Sequence, residues 1–268
     1  MNTILGKLIA IGRTAEVYSL SEDRVIKLFY DWCPTHWVQQ EIDVANLISS
    51  LPIPTPKILE SVEIQGRKGI IYQRIYGPSL LKLATIKPWR LIHFARLLAE
   101  LHTEIHKNKV NDLPSQRTTL INIIKQIESL SPEQKARVLA LLDGLPDDNT
   151  LCHLDLHPDQ VLISDNGPVV IDWMTAKQGH SLSDVARTCV ILKFGQVPYG
   201  NWVMRMIINI WREIFYRSYI RRYLELNPGV SKEMIDTWMI PVAAGRLHEA
   251  IPEEKEPILC FIQSHFYK

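Results

Sequence analysis

The pattern of the chain changes once, at Tyr76-Gly77-Pro78-Ser79, and that change limits the fold more than any other feature. Before it, short alternating or apolar runs read as strands: Ile4 to Ile11, Glu16 to Leu20, Arg24 to Phe29, Ile58 to Val62 and Gly69 to Ile75. Short turns join the first three, which favours an antiparallel meander, and the last two flank a turn at Gln65-Gly66 to complete a sheet of about five strands. One helix interrupts them. It starts near Cys33-Pro34-Thr35, puts Trp37, Val38, Ile42, Ala45 and Ile48 on an apolar side, and carries Glu41 in its middle. Pro52, Pro54 and Pro56 must follow its end, because a helix interior does not tolerate proline. After Ser79 the period becomes helical. Leu91, Phe94, Ala95, Leu98, Leu101 and Ile105 share one face over residues 89–107, and Ser131-Pro132-Glu133-Gln134 spells an N-cap, a first-turn proline and a capping box. Strands first and helices after define an α+β chain in two parts, residues 1–76 and 77–268.

At 46% apolar and 22% charged residues the chain is globular, neither disordered nor fibrous, and its 268 residues suit two lobes better than a string of modules. A net charge of +1 gives no electrostatic case for nucleic acid. Cys33, Cys152, Cys189 and Cys260 are scattered, with no CxxC spacing, as expected in a reducing cytoplasm. The first residues, Met1 to Lys7, lack the basic, apolar and cleavage regions of a signal peptide. The greasiest segment, Met204 to Tyr219, is broken by Arg205, Arg212, Glu213 and Arg217. A cytoplasmic protein without a membrane anchor is the expectation.

Chemistry-bearing residues are densest from Cys152 to Ile163. Here His153, Asp155, His157 and Asp159 precede the strand-like Val161 to Ser164, a turn at Asp165-Asn166-Gly167, and a return run ending at Asp172. In isolation these side chains read as a loop of caps and turns. Were the segment extended, all four would share one face and suit a metal-dependent hydrolase, although Pro158 argues against a regular paired strand. A third reading also uses Lys27, Glu41 and Asp172. Phosphoryl transfer needs a cation on the nucleotide phosphates, a partner fixing it, carboxylates for Mg²⁺ and a group orienting the attacking hydroxyl. Lys27 alternates with Val25 on a strand face, and if buried it needs an anion, which Glu41 could supply; otherwise both are solvated surface charges. The turn Gly12-Arg13-Thr14-Ala15 reads first as a plain hairpin turn, its single glycine being only a weak signal of a phosphate contact. His93, His102 and His106 read as structural or exposed, and Asp184, beside Ser183, as a helix cap.

Taken in order, these motifs resemble the aminoglycoside phosphotransferase and choline kinase group of the protein-kinase-like superfamily, over about residues 9 to 190. That resemblance implies a bilobal fold: a small antiparallel-sheet lobe for nucleotide over residues 1–76, then a mainly helical lobe with the catalytic loop and the acceptor site. His153-Leu154-Asp155, His157-Pro158 and Gln160 match an HxDxHPxN loop. Asp155 would then accept or orient the hydroxyl proton, and His153 would shape the loop. His157 stands where protein kinases usually carry lysine, which favours small-molecule acceptors. By the same resemblance Asp172 is the main Mg²⁺ ligand, Lys27 contacts the phosphates while paired to Glu41, and Gly12 to Val17 covers them. Gln73 to Tyr76 is the hinge, with backbone groups of Gln73 and Ile75 meeting the base and Tyr72 at the rear of the pocket. Asp184 supports the catalytic loop.

The implied reaction is transfer of the terminal phosphate of ATP or GTP, with Mg²⁺, to a small-molecule hydroxyl. Two departures stand out. Gln160 replaces the expected asparagine as second metal ligand, adding about 1.5 Å of reach, and the loop after Gly12 is poor in glycine. A nucleotide-binding homologue without turnover is the alternative these departures leave. The acceptor itself is written in no motif: Arg205, Arg212, Arg217, Arg221, Arg222, Glu249, Glu253, Glu254 and Glu256 read as solvated helix faces, with Arg221-Arg222 open to an anionic acceptor.

Overall fold

A computed structural model describes residues 5–195 and 202–266. The chain forms two compact units, Met1–Lys82 with Asp159–Thr175, and Leu83–Pro158 with Ala176–Lys268.

The first unit is built on strands β1 (Leu8–Ile11), β2 (Ala15–Ser19), β3 (Arg24–Phe29), β4 (Ile58–Ile64) and β5 (Arg67–Gln73), in the sheet order β1-β2-β3-β5-β4, every neighbour antiparallel. Of the expected first strand, Ile4 lies outside the described residues; the ladder starts at Leu8. Gln65 and Gly66, both at positive φ, close the β4–β5 hairpin as a two-residue loop requires. Alternation along β3 sorts its side chains cleanly. Phe29 packs with Ala15, Ile70 and Val38, while Ile26 and Leu28 pack on the opposite face with Ile64 and Ile71. Val38 belongs to helix α1 (Thr35–Ser49), so the Lys27–Phe29 side of the strand is the side that α1 covers. The buried face of α1 is Val38, Glu41, Val44 and Ile48, rotated from the purely apolar stripe because it includes a carboxylate.

Helix α2 (Leu80–Ile86) leads into the second unit, where α3 (Leu91–His106), α4 (Gln116–Gln126) and α5 (Pro132–Gly144) follow. The capping box at the start of α5 forms as expected, with Ser131 and Gln134 satisfying one another's backbone N–H. Next come β6 (Thr150–Cys152), the hairpin β7 (Val161–Ser164) and β8 (Gly167–Val170), and β9 (Lys177–Gly179), which pairs with β6. Helices α6 (Ser181–Phe194), α7 (Trp202–Leu226), α8 (Lys232–Arg246) and α9 (Pro252–Phe266) complete the chain. Among the described residues no helix is long and apolar enough to cross a membrane.

The β7–β8 hairpin belongs with the first unit, although it follows the helical run in sequence. Its backbone explains why: Ile163 N–H donates to Pro78 C=O and Val170 N–H to Pro54 C=O, at 2.9 and 2.8 Å. Gly77 lets the strand come this close. Any side chain there would drive its Cβ into the Ile163 carbonyl oxygen.

Candidate active site

In the first unit the strand lysine and the helix carboxylate meet. Lys27 Nζ donates to Glu41 Oε1 and Oε2 at 2.8 and 3.0 Å, and to Asp172 Oδ1 at 3.0 Å. Tyr72 hydroxyl donates to Glu41 Oε1 at 3.0 Å. Solvated, unrelated charges are therefore excluded: the Glu41 side chain is 5% exposed and that of Lys27 15%. Burial alone would lower the lysine pKa, but Glu41 and then Asp172 outweigh it and hold Lys27 protonated, above its ordinary value. Burial, followed by the Glu41 charge, pushes the Tyr72 phenol well up.

Asp172 follows β8 with φ of 62°, a left-handed conformation uncommon for aspartate, and its carboxylate is 42% exposed. The ladder continues one residue past the strands: Ile171 N–H donates to Gln160 C=O at 2.9 Å, which places Gln160 and Asp172 at the same end of the hairpin. Gly12 sits in a tight turn, its N–H on Ala15 C=O at 2.8 Å. Gln73 ends β5, its N–H held by Lys57 C=O at 2.8 Å, with Ile75 half-buried beyond it.

In the second unit the segment after β6 is a loop rather than a strand, with Leu154 at φ 61°, followed by a short 3₁₀ turn at Pro158–Gln160. The shared strand face that a His/Asp metal cluster needed is thus absent. The loop is instead tied to α6. Asp184 takes the N–H of His153 at 2.6 Å on Oδ2 and that of Leu154 at 2.7 Å on Oδ1. Asp155 N–H donates to His153 Nδ1 at 3.2 Å. Arg187 donates from Nε to the Leu154 carbonyl at 3.1 Å, and its Nη2 lies 3.9 Å from Asp155 Oδ1. Thr188 hydroxyl donates to the Leu156 carbonyl at 2.7 Å. Asp155 itself is half-buried, with His157 Nε2 at 3.8 Å from its Oδ2.

Asp184 does not cap α6. That role falls to His180, whose Nδ1 accepts from Leu182 N–H. A fully buried aspartate would ordinarily resist ionising. His102 and His106 overcome that penalty and hold Asp184 well below the usual carboxylate range. The sequence motifs point to neither histidine as a site residue, nor to Arg187. The i, i+4 spacing of His102 and His106 is visible in the sequence, but not what it faces.

Of the C-terminal charges, Arg205, Arg217, Arg221, Glu253 and Glu256 are exposed as expected, but others are less solvated. Glu254 is buried and paired with Arg246 at 2.7 Å, Arg246 also holds Glu249, and Glu249 pairs with Arg187. Arg212 donates to the Leu192 carbonyl at the end of α6, and Arg222 is bound by Glu100 and Glu225. An anion site at Arg221-Arg222 has little support, since Arg221 also pairs with Glu225.

Comparison with known proteins follows the same lines. A sequence profile described as "Phosphotransferase enzyme family" matches residues 7–229. Curated protein sequences give no match. Among solved structures, a thermostable mutant of aminoglycoside phosphotransferase APH(4)-Ia, in ternary complex with AMP-PNP and hygromycin B, aligns with a TM-score of 0.64 at 15% identity, covering 96% of this chain and 90% of that one. The streptomycin–ATP complex of APH(2")-IIa aligns at 0.62 and 13%, covering 97% and 92%. A GDP complex of aminoglycoside 2'-phosphotransferase-IIIa aligns at 0.61 and 13%, with the same coverage. At such identities the structures speak for the fold. The profile, spanning most of the chain and every motif discussed above, speaks for the family: this chain belongs to the phosphotransferase enzyme family.

Proposed function

We propose that this phosphotransferase moves the terminal phosphate of ATP or GTP, as its magnesium complex, to a hydroxyl group of a small molecule. The observation that carries the reading is Lys27 held between Glu41 and Asp172. Glu41 fixes the ammonium in place and keeps it charged, so that Lys27 can meet nucleotide phosphates, under the turn that begins at Gly12. The backbone of Gln73 and Ile75 meets the base. Asp172 and Gln160 offer hard oxygen donors from the same end of one hairpin, a donor set that fits magnesium. Magnesium, when bound, would neutralise charge on the phosphates. Asp155 orients the acceptor hydroxyl and takes its proton, while His153 and Asp184 hold the loop around it. The first unit thereby serves the nucleotide, and the second the catalytic loop and the acceptor.

Related structures with AMP-PNP, ATP and GDP favour a nucleotide co-substrate, and those with hygromycin B and streptomycin a small-molecule acceptor. A polycationic acceptor gains no support here, because Glu249 and Glu254 already hold Arg187 and Arg246. Four free cysteines fit a cytoplasmic setting.

The test is a panel of hydroxyl compounds with Mg-ATP and Mg-GTP, using wild type and Asp155→Ala. Turnover is expected in the wild type and a loss of about 10²–10⁴-fold in the variant. Equal rates would remove Asp155 as the base. Nucleotide binding without turnover on any acceptor would favour the inactive homologue that Gln160 leaves open.

A further inference from the structure

Two helices of the second unit carry matching pairs of polar aromatic residues at i, i+4 spacing: His102 and His106 on α3, Tyr219 and Tyr223 on α7. Each histidine meets one tyrosine. His102 Nδ1 is 2.6 Å from Tyr219 hydroxyl, and His106 Nδ1 is 3.0 Å from Tyr223 hydroxyl. The opposite ring nitrogens converge on one oxygen: Nε2 of His102 and of His106 lie 3.0 and 3.3 Å from Asp184 Oδ2. His102 is fully buried, and its Nε2 stands out of line for a full hydrogen bond, so Asp184 is the polar group it must answer to.

We infer that Tyr219 and Tyr223 are positioning residues for the catalytic loop, acting by fixing the tautomers of His102 and His106 against Asp184. An ionised carboxylate only accepts, so the nitrogen facing it must carry the proton. A neutral imidazole has a single N–H, which leaves a lone pair on each Nδ1 that the tyrosine hydroxyl fills as donor. Burial, then the neighbouring His102, pushes the His106 pKa down to about 4, which leaves that ring neutral near pH 7. Without the hydroxyls a buried Nδ1 lone pair is left unsatisfied, and the ring proton is free to move there, turning a lone pair toward the carboxylate. Asp184 would then lose the donors that seat it against the amides of His153 and Leu154. Leu154 is the strained residue directly before Asp155. The loop geometry stands independently of the reaction; its catalytic consequence rests on the function proposed above.

The same three ligand atoms lie within 4.8 Å of one another, close enough for a metal ion, so metal content belongs to the test. In the wild-type protein, ¹⁵N NMR of the imidazoles should show the Nε2–H tautomer for both rings. In the double variant Tyr219→Phe/Tyr223→Phe the tautomers should mix. Hydrogen exchange at the His153 and Leu154 amides should then rise about tenfold, with β2 to β5 unchanged. An Nδ1–H tautomer in wild type, unchanged exchange in the variant, or stoichiometric zinc in the purified protein would each overturn the inference. If the double variant does not fold, His106→Gln keeps an N–H where Nε2–H stood and His106→Leu does not. Slow Leu154 exchange in the first and fast exchange in the second is expected, and equal rates would refute it. Absence of phosphate transfer would count against the proposed function while leaving these readouts intact.

Discussion

Lys27 shows what burial does to a residue whose role is ambiguous as a letter. On a strand it could equally be a snorkelling surface lysine; with Glu41 at 2.8 Å and Asp172 at 3.0 Å it is the largely buried cation of a three-charge cluster. Removing it leaves Glu41 desolvated and unpaired, which costs about 3–5 kcal/mol in comparable pairs. Lys27→Met should therefore lower the melting temperature markedly and abolish nucleotide-dependent stabilisation. Adding Glu41→Gln to that variant should restore part of the stability but none of the nucleotide effect. A double variant no more stable than Lys27→Met would mean the pair is not coupled. Tyr72→Phe, which deletes one donor onto Glu41, should cost about 1 kcal/mol by urea titration.

At the level of elements, the β7–β8 hairpin is the part whose placement no periodicity shows. Its turn is legible from Asp165-Asn166-Gly167, and its pairing follows, but the unit it joins depends on hydrogen bonds to Pro54 and Pro78 far away in sequence. Gly77, at φ 149°, is the residue that permits this approach. Gly77→Ala should destabilise by on the order of 3 kcal/mol, through backbone strain together with the clash on Ile163. Gly144→Ala, where a new Cβ meets nothing within 4 Å, should be neutral or stabilise by up to about 1 kcal/mol. Equal melting temperatures for the two variants would contradict the close approach.

For the whole molecule, His106 sets a pH dependence of stability. The folded-state pKa of His106 is depressed from 6.5 to about 4, so between those values the unfolded chain takes a proton that the native state refuses. Stability should accordingly fall as pH drops from about 6.5 to about 4, by on the order of 3 kcal/mol from this group. Asp184 adds to the loss at still lower pH, because its depressed value makes protonation favour the unfolded state. Urea titrations across this range should show the slope in wild type and a shallower one in His106→Gln. A flat profile in wild type would mean that His106 is charged in the native protein.

The division of labour between sequence and structure follows from the range of the forces involved. Strands, helices and caps depend on neighbours within a few residues, so the five-strand sheet, the capping box at Ser131 and the turn at Gln65-Gly66 are legible in the letters. The order of Lys27, Glu41, Asp155 and Asp172 is also in the letters, and it points to phosphoryl transfer before any distance is known. Only the tertiary structure decided which charges are buried together. Glu41 turned inward on α1, Glu254 found Arg246, and Asp184 gave up capping to hold two loop amides beneath a pair of histidines. Each of those outcomes balances desolvation against a partner distant in the chain, and no local pattern records that balance.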